Sequence, residues 1–434
     1  MKNRGWALLP FLVFIVLFAG GGIIKGDFYA MPALVAFVIA LFVGMMQNKK
    51  RSFNEKLEII AKGAGDVNII TMIFIFIVAG AFSGVVSAAG GVESTVNFGL
   101  SILPAKFMIV GLFLIGCFIS VSMGTSVGTI TALTPIAVGV AQQTGFPIAI
   151  CVGAVVSGAM FGDNLSMISD TTIAAVRTQG CEMKDKFTQN FFIVLPAAII
   201  AIVLFYVRST SLVYSGDSNY EYSLIKIVPY LVVLIGALIG FNVFAVLFSG
   251  IFLSVAVGIG TNTFTLFEAV KAIGEGMASM FEISIISITV ACIVALVKEN
   301  GGIDLIIEGI KNRTKGKKGA EFGIAILVFI VDLCTANNTV AIVLTGPIAK
   351  EIGDEFEVQP KRVASVLDIF ASVGQGIIPY GAQLLTAAAL AVEGGFGGIT
   401  PIDIIPNLYY PILMGISALL FIIFRPQNKV EKSK

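Results

Sequence analysis

Two acids, an amide and four hydroxyls fall within eleven residues, Gly162-Asp163-Asn164-Leu165-Ser166-Met167-Ile168-Ser169-Asp170-Thr171-Thr172, and both flanks are apolar. An ionised Asp at membrane depth costs roughly 2.5–3.5 kcal/mol even on a lenient insertion scale, so two need a cation, a proton or a polar partner. Sodium is a hard cation that takes oxygen ligands, by the reasoning that governs calcium. Asp163, Asn164 and Asp170 are therefore candidate Na+ ligands, with Ser166, Ser169 and Thr171 beside them and carbonyls freed by an unwound helix. The competing reading is that Asp163 or Asp170 caps a second half-helix, since Asp and Ser favour N-caps.

A second polar interruption, Ser122 to Thr129, supplies Thr125 and Ser126 but no charge. Gly, Ser and Thr there could equally serve close helix packing. Farther along, Asp332-Leu333-Cys334-Thr335-Ala336-Asn337-Asn338-Thr339 is its polar counterpart, followed by Asp368 and then Gly374-Gln375-Gly376-Ile377-Ile378-Pro379-Tyr380-Gly381-Ala382-Gln383. Asp332 and Asp368 read as coupling or pairing carboxylates. Asn337, Asn338, Thr339, Gln375, Tyr380 and Gln383 read as solute or ion ligands. Other charges take a blander reading: Arg177, Glu182, Lys184, Asp185 and Lys186 as a solvated loop, Glu282 as an interface residue, and the 311–318 basic run as a topology signal. Trp6 and Tyr409-Tyr410 suit interface anchors.

These paired interruptions belong to a duplication. Gly63-Ala64-Gly65 returns as Gly274-Glu275-Gly276, Gly90-Gly91-Val92-Glu93 as Gly301-Gly302-Ile303-Asp304, and Thr134-Pro135-Ile136-Ala137 as Gly346-Pro347-Ile348-Ala349, at a nearly constant shift. One unit is present twice. In a membrane protein, interruptions at corresponding places in two halves point to a substrate site.

The membrane setting follows from composition. Mean hydropathy is +0.96, and 57% of residues are hydrophobic against 13% charged, where a soluble domain carries about a quarter charged residues. The run Ala7 to Ile24 is too long for a signal sequence and reads as a first membrane helix. A net charge of +1 offers no basic surface to track nucleic acid. The five cysteines form no C-x-x-C pair, so neither a disulfide frame nor a zinc site is indicated. With no histidine, any proton handled near neutrality rides on a carboxylate or water. No phosphate-binding G-x-x-x-x-G-K-[ST] loop occurs, which disfavours an ATP-driven pump. The expectation is a carrier and not an enzyme, without a cofactor, using Na+ and H+ as coupling ions.

The apolar stretch 104–141 is too long for one span, at about 57 Å of helix against a core of about 30 Å. It reads as a hairpin returning to its own face. The fold expected is all-α and polytopic: two repeats, 1–210 (hairpin 104–141, broken helix 146–178) and 223–425 (hairpin 319–350, broken helix 363–392), joined by a linker at 208–222. Each repeat has about five spans and one hairpin, an odd number of crossings, so the repeats are inverted. With both termini cytoplasmic this leaves only Lys25, Lys106, Arg208, Lys226 and Lys271 outside, a strong positive-inside bias.

At Gly162-Asp163-Asn164-Leu165-Ser166, Ser169-Asp170-Thr171-Thr172 and Gly124-Thr125-Ser126, the chain resembles the NhaC-type sodium/proton antiporter family of the ion transporter superfamily, over nearly its whole length. The resemblance implies a cation-coupled secondary carrier in a bacterial inner membrane. By fold analogy it implies an elevator-like transport domain moving against a homodimeric scaffold in lipid. Where sodium/proton exchangers of the family carry Trp-Asn-Thr-Cys, this chain has Pro379-Tyr380-Gly381-Ala382-Gln383. The family also looks to include exchangers of organic acids and amino-acid carriers. Two readings stand: Na+/H+ antiport with Asp163 and Asp170 as the shared site, and Na+- or H+-coupled transport of a small amino acid or carboxylate read by the second copy. A channel fits paired breaks less well than alternating access does.

Overall fold

The computed structural model describes residues 4–25, 32–102, 104–166, 169–212, 221–239, 241–311, 313 and 315–424. Most of the expected linker 208–222, along with Lys2, Arg425, Lys429, Lys432 and Lys434, lies outside the described residues. The first half runs α1 (Leu9–Lys25), α2 (Ala33–Met46), α3 (Phe53–Ala64), α4 (Val67–Ala88), α5 (Gly91–Ile102), α6 (Met108–Met123), α7 (Ser126–Thr144), α8 (Ile148–Leu165), α9 (Asp170–Gln179) and α10 (Met183–Thr210). The second half runs α11 (Leu224–Ile239), α12 (Val243–Gly260), α13 (Leu266–Ser279), α14 (Phe281–Glu299), α15 (Gly302–Lys311), α16 (Gly316–Thr335), α17 (Asn338–Glu355), α18 (Pro360–Ile377), α19 (Ala382–Glu393), α20 (Pro401–Ile404) and α21 (Tyr409–Phe424). No strand occurs among the described residues.

Packing keeps its pattern when the two halves are exchanged. Helix α3 lies on α14 and α13 on α4; α2 lies on α14 and α12 on α4; α7 lies on α19 and α17 on α9. Local signals repeat too. Ser52 with Glu55 and Thr265 with Glu268 each form a capping box at the start of α3 and α13, satisfying otherwise orphaned N–H groups. These amphipathic helices, and short α5 and α15, are absent from the sequence expectation because their charges hide them from an apolar-run criterion.

Among the described residues, six stretches are long and apolar enough to cross a membrane, 69–88, 148–179, 183–210, 243–260, 266–299 and 360–393, and eight if two bent pairs each count as a span. Large apolar side chains face outward on these helices, among them Ile199 and Val203 on α10, Phe252 on α12 and Ile416 on α21, as lipid contact requires. The protein is a multi-pass membrane protein. Helices α6 and α7 meet at Gly124, whose φ of 67° is the left-handed conformation glycine adopts at little cost. At the matching turn between α16 and α17, Ala336 takes φ 49°, a strained setting for a side chain with Cβ.

Both broken spans end one helix and begin another inside the protein. The first was expected to break at Gly162–Ser166, but α8 runs on to Leu165, and Ser166 N–H still reaches the Gly162 carbonyl at 2.7 Å. Asp163 and Asn164 therefore sit on the last turn of a helix. Their side chains find tertiary partners, so the backbone has no need to unwind there. The second span breaks between Ile377 and Ala382, within the expected stretch.

Close helix contact at α4 and α13 depends on glycine: a Cβ on Gly80 would land on the Gly276 backbone carbonyl, which cannot yield. Gly80→Ala is expected to cost about 1–3 kcal/mol. Gly111→Ala, with nothing within 4 Å of the added atom, should leave the melting temperature of the purified protein close to wild type. Equal melting of the two variants would contradict this packing.

Candidate functional site

Eight half-helix ends converge on one polar cavity of about 270 Å³. Helices α7, α9, α17 and α19 begin at it, through Ser126, Asp170, Asn338 and Ala382, while α6, α8, α16 and α18 finish beside it. Beginning helices bring free N–H groups and a partial positive charge. Ending helices bring carbonyls. The cavity is lined by Asp163, Ser169, Asp170, Thr171, Thr125 and Ser126 from the first half, and by Asn337, Asn338, Thr339, Gln375 and Gln383 from the second. Sequence reasoning missed Thr71 and Ile75 of α4, which close one wall; a lone Thr in an apolar span carries little signal.

Asp163 is the centre of this lining, 4% exposed. Ser169 Oγ donates to its Oδ1 at 2.5 Å, Ser126 Oγ to its Oδ2 at 3.1 Å, and Asn338 Nδ2 approaches Oδ2 at 3.5 Å. Thr171 Oγ1 lies 2.8 Å from Ser169 Oγ. A chain of donors continues into the second half: Gln383 Nε2 donates to Ser126 Oγ at 3.1 Å, and Gln375 Nε2 to Gln383 Oε1 at 2.7 Å. Every donor in this chain runs toward Asp163, the arrangement an ionised carboxylate favours. Gln375 Oε1 is buried without a partner. Asp170, by contrast, is exposed at the first turn of α9, so it stands at the rim.

Five nominated residues lie elsewhere. Ser166 Oγ donates to the Val121 carbonyl at 2.8 Å and ties the break to α6. Tyr380 donates to the Leu333 carbonyl at 2.6 Å and lines a neighbouring apolar cavity with Phe14 and Phe18. Asp332 is fully buried against Gly374, with no hydrogen-bond partner for either oxygen. Asn164 turns away from the cavity: its Nδ2 donates to Asp368 Oδ2 at 3.1 Å and Ser372 Oγ at 3.0 Å. Asp368 Oδ2 also accepts from Lys186 Nζ at 2.6 Å and Asn190 Nδ2 at 2.8 Å.

Lys186 corrects the sequence expectation outright. Read as part of a solvated loop, it has 0% exposure and sits in the first turn of α10. The signal was its spacing from Asn190, four residues on and on the same helix face, in a stretch that then turns apolar.

Among the described residues, no three acids, cysteines or histidines cluster as a multivalent metal site. The cavity offers one buried carboxylate and several neutral oxygens, the donor type that hard cations take. A family profile described as the Na+/H+ antiporter family matches residues 3–209 and 221–425. The chain belongs to that family. Three relatives align over about four-fifths of its length. They are the malate-2H+/Na+-lactate antiporter of Bacillus subtilis (strain 168), 21% identical, covering 81% of this chain and 82% of the relative; the Na+/H+ antiporter NhaC of Alkalihalophilus pseudofirmus, 24% identical, covering 81% of each; and NhaC of Bacillus subtilis (strain 168), 26% identical, covering 80% of this chain and 82% of the relative. Like other members of the Na+/H+ antiporter family, it is a secondary active transporter.

The donor chain predicts coupling. Gln383→Leu strands the Gln375 amide and removes a donor to Ser126, a loss of about 1–3 kcal/mol. Gln375→Leu/Gln383→Leu should lose less than the sum of the two single changes, because the shared bond is removed once. Additive melting shifts in purified protein would break the proposed connection.

Proposed function

We propose that this protein exchanges Na+ for H+ by alternating access, with Asp163 as the shared site. The observation that carries this is a single buried carboxylate lining a polar cavity where both hairpin turns and both broken helices meet. Ionised Asp163 takes Na+ together with the hydroxyl oxygens of Ser126, Ser169 and Thr171. Protonation removes the charge that holds the ion. Because one carboxyl cannot hold both, the two fluxes are opposed. Asp170 at the rim draws cations toward the opening.

The duplicated packing supports a two-state mechanism. In our reading, residues 1–210 and 223–425 are repeats inverted in the membrane plane, each with one re-entrant hairpin, 104–141 and 319–350. Exchange of conformation between them opens the cavity to alternate faces. A hairpin-bearing unit moving elevator-fashion against a homodimeric scaffold, with both termini in the cytoplasm of a bacterial cell, completes that picture.

Cavity size favours a second reading. A volume of about 270 Å³ far exceeds a bare ion, and one relative is named for malate and lactate. A small carboxylate or amino acid would then sit against Asn337, Asn338, Gln375 and Gln383 while Asp163 holds the coupling ion.

Both readings are separated by proton release on ligand addition to purified protein. Na+ alone should release protons in the wild type. Asp163→Asn should weaken Na+ binding about tenfold to a hundredfold, the worth of losing a charged ligand, and abolish the release. Release that requires an added carboxylate or amino acid favours the second reading. Na+-dependent release persisting in Asp163→Asn rules out the shared site.

A further inference from the structure

We propose that Lys186 is a resident cation: its ammonium occupies Asp368 throughout, leaving Asp163 as the carboxylate open to a transported ion. The inference rests on the cation reading above for its consequence, but the pairing itself stands on geometry.

An ammonium has three donors and no acceptor. Lys186 Nζ uses all three, on Asp368 Oδ2 at 2.6 Å, Thr172 Oγ1 at 2.6 Å and the Asn164 carbonyl at 3.0 Å. Its side chain is 1% exposed and that of Asp368 is 0% exposed. No donor remains to follow a solute, and no water-facing route separates the pair. The carbonyl it holds belongs to the last turn of α8, and the hydroxyl to the first turn of α9. Lys186 therefore clamps both sides of the first break to α18 of the other half.

Asp163 and Asn164 are neighbours whose side chains diverge. Asp163 opens into the cavity, while Asn164 joins the sealed cluster with Asp368, Lys186, Asn190 and Ser372. Without the ammonium, Asp368 would stand as a second buried carboxylate with no cation, bonded to the Asn164 amide next along the chain from Asp163, and a second cation would have to fill the gap. With it, one monovalent cation or one proton neutralises the site. Lys186 thus sets how many ions the cavity takes, as a positioning residue outside the cavity lining.

The test is Na+-dependent thermal stabilisation of the purified full-length chain, with NaCl as the probe against choline chloride at constant ionic strength. Wild type should follow a one-site curve with a slope of about one. Lys186→Met frees Asp368, so its melting point without Na+ should fall by several degrees and its Na+ curve should steepen toward two sites. Lys186→Met/Asp368→Asn removes both charges; it should regain most of the lost stability and the one-site curve. If the single variant cannot be purified, the double variant alone decides.

A double variant that has lost its Na+ response, as Asp163→Asn should, would overturn the inference, because the pair would then be part of the ion site. A two-site curve in wild type would overturn it as well. Should wild type and all variants ignore Na+, the sodium reading of the cavity fails. The pair is then judged by melting alone: recovery in the double variant upholds resident pairing, and a double variant that melts no higher than Lys186→Met refutes it.

Discussion

Helices that stop inside an apolar body leave carbonyls and N–H groups with no water to satisfy them, and each such group costs several kcal/mol if left unmet. The centre of this protein gathers eight such ends at one place. What meets them is a small set of side chains that also make the cavity. Thr125 and Asn337 cap α7 and α17 through Gly128 and Val340, Ser166 bonds to α6, and Lys186 and Asn190 take the Asn164 carbonyl in the last turn of α8. Thr125 and Asn337, which finish interrupted helices, also line the cavity.

The two halves share a packing pattern and differ in chemistry. Ser126 and Asn338 occupy matching places at the starts of α7 and α17, and Asp163 and Gln375 occupy matching places near the ends of α8 and α18. One half thus offers a carboxylate with hydroxyls, the other amides. Glycines keep the same spacing on both sides: a Cβ on Gly162 would run into Ser120 and the Val121 backbone, and one on Gly374 into Asp332. At this last pair Ser120 is bonded to the Ala159 carbonyl, whereas Asp332 has no donor near it. An ionised carboxylate at Asp332 would have nothing to offset its burial, so the second half holds its acid apart from the cavity.

Much of this was legible in the sequence, for physical reasons that differ from residue to residue. Asp163, Ser169, Gln375 and Gln383 stood out because polar groups are costly in hydrocarbon and so mark themselves against apolar neighbours. The hairpin turns at Gly124 and Ala336 were legible because apolar runs of that length cannot fit one crossing. What escaped was anything decided by partners distant in sequence. Lys186 sits among Glu182, Lys184 and Asp185, and its composition is that of a loop; only Asp368, 182 residues away, makes burial tolerable. Asp368 for its part read as a coupling or pairing carboxylate, but nothing near it in the chain shows that a lysine is the partner. The amphipathic helices α3 and α13 escaped although both capping boxes are plain in the sequence, because their charged residues break up the apolar runs by which membrane helices stand out.

A buried ion pair is poor evidence of stability, since well-packed apolar residues of similar volume often stabilise a core as much or more. The presence of Lys186 and Asp368 in the interior therefore asks for another cause. Replacing them by hydrocarbon would take from Thr172 Oγ1 its ammonium partner and from Asn164 and Asn190 the carboxylate that both amides bond, leaving the Asn164 carbonyl to Asn190 alone. The pair satisfies groups that no apolar substitute can reach, and it does so across α8, α9, α10 and α18 together. Those four elements are thereby joined at the depth of the cavity by directional bonds as well as by packing. Any motion that carries the site must carry them as one body, and freedom to move is left to the helices that these bonds do not tie.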